Sequence, residues 1–279
     1  WKPSPQMNSL KKGSYYWNES IKPEMNASDL FIVNEQNRKK MLQYGFGVVN
    51  THQQDGIARG TSATVNLSKD QDKSIILNKS AQNFSLQKGV SFQTYPSSQM
   101  GSIALLKQFY QDYIWYKSNK EQGNLSIDKQ IENENLIAIM SVRDKLEIMR
   151  ADKIGDEFGI QYVIKSSGNE YQRLSDIEET KAPLIIPINF PKGIKVNSSY
   201  EMNHIPLSTL KHWELAPSNL YFLEKNNIPF TITSDGTKSA KEFLENLRLA
   251  IERGLSVKQA IYSLTLYPAQ LLKIDTDYG

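Results

Sequence analysis

The chain has no cysteine among its 279 residues, which excludes disulfides, thiolate nucleophiles and Cys-ligated zinc together. Histidine is almost as scarce: His52, His204 and His212 are the whole supply, so any metal chemistry has few imidazoles to recruit. An excess of one charge is also lacking, since 33 basic and 30 acidic side chains leave a formal +3, and no nucleic-acid partner is indicated. No apolar run approaches the roughly 20 residues that span a bilayer, and no basic amphipathic segment points to a membrane surface. Gly-rich phosphate loops and Gly-x-Ser-x-Gly are missing, which removes the nucleotide and serine-hydrolase arguments. Without cysteines the compartment stays open between an exported and a cytoplasmic protein.

Hydrophobic residues at 39% and charged residues at 23% are an ordinary globular balance, and the length suits one barrel of roughly 250 residues. A single domain over 1–279 is therefore expected, with 1–43 as a loop-and-helix extension. The opening Trp1-Lys2-Pro3-Ser4-Pro5 carries no initiator methionine, so a segment of a longer protein is expected.

Hydrophobic spacing predicts a helix at 34–44 with Gly45 as C-cap, a buried strand at 46–50, and a loop at 51–61 holding Gly56 and Gly60. Short strands at 62–67 and 74–77 flank the polar turn Lys69-Asp70-Gln71-Asp72, and a helix follows at 102–116. From 136 the alternation is regular. Strands are predicted at 136–142, 161–165, 184–189 and 230–233, and helices at 144–158, 170–180, 219–226 and 240–253. A final helix starts at Ser256, with Gln259 completing a capping box. Strands separated by helices of this length imply parallel pairing, hence an α/β barrel. About seven strand-helix units are counted if the early part supplies two. The eighth is expected upstream of Trp1.

The strand 230–233 runs into Ser234-Asp235-Gly236, which puts a carboxylate at the C-terminal mouth of a barrel strand, where catalytic groups sit. Asp235 fits a metal ligand, a general base, or an acid placed favourably at the next helix's N-terminus. His52, just past a strand, fits metal binding, substrate polarisation, or a hydrogen bond within its loop. Arg59, before Gly60, suits a carboxylate or phosphate, and a loop-locking salt bridge to Asp55 is the structural alternative. In Lys211-His212-Trp213-Glu214 one or two side chains can share a pocket, His212 among them, whereas His204 reads as a solvated loop residue. Glu170 opens a helix, where an acid is expected in any case.

The run from Tyr44 to Thr61 (Tyr-Gly-Phe-Gly-Val-Val-Asn-Thr-His-Gln-Gln-Asp-Gly-Ile-Ala-Arg-Gly-Thr) resembles the amidohydrolase superfamily, in particular its imidazolonepropionase-like branch. So do the unit 144–164, the run 228–236, and 260–274 with Thr265, Pro268-Ala269 and Leu271-Leu272. The resemblance implies a (β/α)8 TIM-like barrel of the metal-dependent hydrolase type, with its flanking β-sandwich halves and first strand outside this segment. It also implies hydrolysis of non-peptide C–N bonds, such as those of cyclic amides. By the same resemblance Asp235 matches the aspartate after the eighth strand, which binds metal and takes a proton from the attacking water. His52, Arg59 and His212 would contact a small-molecule substrate, and one divalent metal, zinc, would be the cofactor. The family's histidines after the fifth and sixth strands have no counterpart, since those positions read Met140-Ser141-Val142-Arg143 and Val163-Ile-Lys-Ser-Ser-Gly-Asn169. A metal-free site is thus the other expectation.

Two rival readings remain open. One is an inactive barrel that binds a ligand or partner through Trp213, Tyr95 and Trp115. The other is a glycosidase-like barrel, which needs a second acid facing Asp235. Self-association into a homo-oligomer stays open as well.

Overall fold

A computed structural model describes residues 11–71, 73–119, 123–196, 198, 201 and 203–279. The first ten residues of the N-terminal extension, Asp72 of the polar turn and four positions of the 190–206 excursion lie outside the described residues. The fold is mixed α/β, as the sequence implies. It forms two compact units, Trp1–Ser141 with Ile154–Tyr162, and Val142–Lys153 with Val163–Gly279.

In the first unit, helices α1 (Ala27–Leu30) and α2 (Glu35–Gln43) precede strands β1 (Val48–Thr51), β2 (Ala58–Asn66) and β3 (Ile75–Ser85). Helices α3 (Gln99–Ser118) and α4 (Leu125–Glu132) then lead to β4 (Ile137–Ser141). Asn34 caps α2 by accepting from the Asn37 amide at 2.9 Å, and Gly45 closes it at φ +91°, so both predicted ends hold. The early part departs from the expected strand-helix units. β2 runs antiparallel to both β1 and β3, and β3 then pairs in parallel with β4, Ala81 opposite Ile137. The connection between β2 and β3 is too short for a parallel crossover, so only a hairpin closes it.

β2 also begins inside the predicted loop 51–61. Residues 20–26 run alongside it, bridging Ile21 to Ala58 and Asn26 to Thr61, and this tertiary pairing overrides the two glycines. Gly60 has φ +79°, and a Cβ there would meet the Met25 carbonyl oxygen at 2.0 Å, so glycine is what lets the two segments touch. Leu105, Leu106, Phe109 and Tyr110 of α3 are buried, as are Ile57, Phe84 and Met140, and the Tyr110 ring is centred 5.9 Å from that of Phe84. α4 escapes sequence reading because its eight residues carry too few apolar positions to show a period.

Helix α5 (Lys145–Phe158), whose first amides are capped by Asp144, starts in the second unit and ends within the Ile154–Tyr162 stretch of the first, and β5 (Tyr162–Lys165) belongs to the second unit from Val163 on. A 3₁₀ turn (Glu170–Arg173) enters α6 (Leu174–Thr180), and β6 (Leu184–Pro187) follows. α7 (Leu207–Leu215), a 3₁₀ turn (Ala216–Ser218) and α8 (Asn219–Lys225) lead to β7 (Phe230–Thr233), and α9 (Ala240–Glu252), α10 (Val257–Leu264) and α11 (Leu266–Leu271) complete the unit. β5, β6 and β7 are parallel, with Ile164 opposite Leu184 and Leu184 opposite Phe230. These strands are near-continuous apolar runs because helices cover them, and Ile164, Leu184, Ile186 and Phe230 are all buried. Among the described residues no helix is long and apolar enough to cross a membrane.

Candidate functional site

The three parallel strands of the second unit end on one edge, the edge on which open α/β sheets hold ligands. β5 ends on Lys165, β6 is followed by Ile188-Asn189, and β7 by Ser234-Asp235-Gly236. The Lys165 ammonium meets the Asp235 carboxylate at 2.5 Å, with the lysine side chain 22% exposed and the aspartate 54%. The turn holding Asp235 closes through Thr237, whose amide donates to the Ser234 carbonyl at 3.1 Å. Gly236 takes φ +76°, and a Cβ there would lie 2.2 Å from Asn189 Nδ2, so the glycine is what lets the β7 turn pass the Asn189 side chain.

The helix-dipole role for Asp235 is already filled by other residues. Ser239 caps α9 by accepting from the Glu242 amide at 3.2 Å, and the Glu242 carboxylate accepts from the Lys238 amide at 2.7 Å. Asp235 lies well before that cap, against the lysine.

Glu170 is fully buried and not merely a helix-opening acid. Its carboxylate accepts from the Ser166 hydroxyl, the Gly168 amide at 3.0 Å and Asn219 Nδ2 at 2.5 Å. The other end of Asn219 accepts from the Tyr171 amide at 2.8 Å. This knot ties the loop after β5 to the start of α8, and with its oxygens committed Glu170 does not supply the second acid a glycosidase needs.

His212, on α7, stacks on Tyr171 with ring planes 9° apart and meets its hydroxyl through Nδ1 at 3.0 Å. Lys145 has only protons to offer, so it fixes Gln172 with the oxygen towards it at 2.5 Å, and the Gln172 amide donates to the Tyr171 oxygen at 3.0 Å. Since a phenol hydroxyl both donates and accepts, the Tyr171–His212 hydrogen bond is made by either tautomer of the neutral ring. Burial, together with the charge of Lys145, lowers the His212 pKa from its ordinary value, against an opposing pull from Glu170. His212 is therefore expected to titrate below 6.5 by NMR, and Lys145→Met to move the midpoint upward. Because folding disfavours the charged ring, its contribution to stability is complete above 6.5 and is lost as the pH falls through the folded value.

Of the other sequence candidates, His52, Arg59, Tyr95 and Trp115 belong to the first unit and His204 and Trp213 to the second. His52 follows β1, a strand paired antiparallel with β2 rather than a parallel barrel strand. Arg59 is buried on β2, where its Nε donates to the Gly56 carbonyl at 3.0 Å, and burial lowers its pKa against the pull of Asp55. Asp55 itself is held by Lys22 and by the Val90 amide, so the loop lock expected between Arg59 and Asp55 uses these partners instead. His204 sits exposed in a turn, as read. Tyr95 has one face covered by Trp17, while Trp115 and Trp213 are exposed. Lys165, Asn219 and Tyr171 escaped sequence reasoning. The available signal for Lys165 was a charged residue closing an apolar strand.

Among the described residues no group of three or more His, Cys, Asp or Glu side chains stands together to hold a metal ion. At the two positions where the resemblance calls for histidines, Met140 is core, and Arg143 pairs with Glu147 at 2.7 Å while Lys165 pairs with Asp235. An ammonium cannot ligate a metal and repels one, so these residues do not fit the implied zinc.

No family model and no curated protein matches the chain. Among solved structures it is similar to an amidohydrolase from Thermotoga maritima MSB8, at 16% identity and a TM-score of 0.69, over 94% of this chain and 70% of that one. Slighter likenesses are to an uncharacterized protein (TM-score 0.37, 15% identity, 56% of this chain and 38% of that one) and to a Xaa-Pro dipeptidase solved with methionine in its active site (0.31, 12%, 55% and 48%). The first likeness shows the fold: over nearly its whole length the chain is built as that amidohydrolase is.

Proposed function

We propose that the chain is a hydrolase of the amidohydrolase type that cleaves non-peptide C–N bonds, with cyclic amides of the kind opened by imidazolonepropionase-like enzymes as the substrate class. On this reading β5, β6 and β7 with their helices are part of a (β/α)8 barrel. The observation that carries it is the Lys165–Asp235 pair on the strand-end edge of an amidohydrolase-like fold. Asp235, half-exposed and ionised against an ammonium, takes a proton from water as it attacks the carbonyl carbon. Lys165 uses one of its three protons on Asp235 and has two more for the oxygen that becomes negative in the tetrahedral intermediate. The proton taken by Asp235 then passes to the nitrogen as the C–N bond breaks, giving a carboxylic acid and an amine, which at neutral pH exchange a proton to become carboxylate and ammonium. The cation that a metal supplies elsewhere is, in this proposal, the lysine. Incubating the full chain with five- and six-membered lactams and imidazolones, and following carboxylate release by NMR, tests it. Turnover lost on Asp235→Asn is expected, and no turnover of any cyclic amide would overturn the reading.

A further inference from the structure

The fold leaves Arg59 without the salt bridge that its sequence context suggests. Arg59 is 8% exposed, and its Nε donates to the Gly56 carbonyl at 3.0 Å. Asp55, the acid expected to lock it, gives one carboxylate oxygen to Lys22 and the other to the Val90 amide at 2.8 Å. Among the described residues nothing accepts from the two terminal nitrogens of Arg59, and neither nitrogen is sealed from solvent. A guanidinium keeps its charge inside a protein, so burial without an anion leaves that charge uncompensated. Burial accordingly lowers the Arg59 pKa, against the pull of Asp55.

Strand geometry sets what lies beside the guanidinium. Ala58 stands opposite Phe84, whose ring faces Tyr110 of α3, so Arg59, the next residue, projects from the other face of the sheet. Asn83 and Ser85 of β3 share that face, as do Ile139 and Ser141 of β4, which pair with them. None of the four is an acid. Nearby charge then decides which anion fits. Lys22 and Asp55 match each other as an ion pair, and Arg59 is left with one positive charge over. A monoanion closes that balance, whereas a dianion leaves a second negative charge facing Asp55. With Nε spent on Gly56, the two terminal nitrogens form the fork that remains, and its spacing matches the two oxygens of a carboxylate.

We propose that Arg59 is the receptor for a small monoanionic carboxylate, held by its two terminal nitrogens on the Asn83–Ser85 face of the first unit. The carboxylate supplies the charge that the fold leaves missing. This site stands whether or not the chain opens cyclic amides.

Acetate, sulfate as a dianion, and chloride at matched ionic strength, each titrated into the full chain, test it. The readout is NMR of isotope-labelled arginine side chains, with the Arg59 Nε–H signal assigned through bonds to its own backbone. That signal is expected to shift saturably with acetate, to respond to sulfate at least about tenfold more weakly, and to show no saturable shift with chloride. Arg59→Lys keeps the charge and loses the fork, so the rise in urea midpoint that acetate gives over chloride should disappear in it. If this variant fails to fold, the comparison of the three anions on the unaltered chain still decides. Absence of a saturable acetate shift at Arg59, sulfate bound as tightly as acetate or more so, or acetate stabilising Arg59→Lys as much as the unaltered chain would overturn the proposal.

Discussion

Asp235→Asn is expected to lower kcat by about 10²- to 10⁴-fold on any cyclic amide the chain opens, with KM nearly unchanged. The substitution keeps the size and planarity of the side chain, and its carbonyl oxygen still accepts from Lys165 across the 2.5 Å contact. What it removes is a base, because a carboxamide does not take a proton from water at neutral pH. Lys165→Met makes the complementary change, leaving the carboxylate but removing the cation beside the developing oxyanion, and a loss of about 10²- to 10³-fold is expected. Activity that survives Asp235→Asn would move the chemistry to other residues. Steady-state kinetics on the two variants and their double mutant separates the roles, since groups that act as one unit lose less together than the sum of their separate losses.

Glu170→Ala is expected to destabilise the chain by about 3 kcal/mol or more, measured by urea unfolding, although Glu170 lies outside the proposed chemistry. Three donors converge on its buried carboxylate, from Ser166, Gly168 and Asn219, and alanine leaves all three without a partner. The effect reaches further because Asn219 also holds the Tyr171 amide, and Tyr171 in turn orients His212. Glu170→Gln retains part of the network and should cost about half as much. A loss below about 1 kcal/mol for Glu170→Ala would mean that water replaces the carboxylate, so that the knot does not fasten α8 to the loop after β5.

Local chemistry made much of the second unit legible. The run Phe-Thr-Ile-Thr at 230–233 is β7 to the residue, and Ser256 caps α10 by accepting from the Gln259 amide at 3.1 Å, one half of the predicted capping box, whereas the Ser256 amide donates to Glu224 instead of to Gln259. Signals of this kind lie within a few residues of what they specify. The β1–β2–β3 meander was less legible. Its antiparallel pairing depends on which strand lies beside which, and the start of β2 depends on the docking of residues 20–26 at Gly60. The position of Asp235 could be read because a carboxylate closing an apolar strand stands out against its neighbours, whereas its partner could not, since Lys165 belongs to a different strand.

On the proposed function, a lysine ammonium rather than a metal ion is the cation at the Asp235 carboxylate. It is tested most directly by elemental analysis of the full chain, purified without chelator and then supplemented in turn with zinc, manganese, iron and nickel. Metal well below one equivalent under every supplement, and no change on Asp235→Asn, is the predicted result. Near-stoichiometric metal that disappears with Asp235→Asn would contradict it.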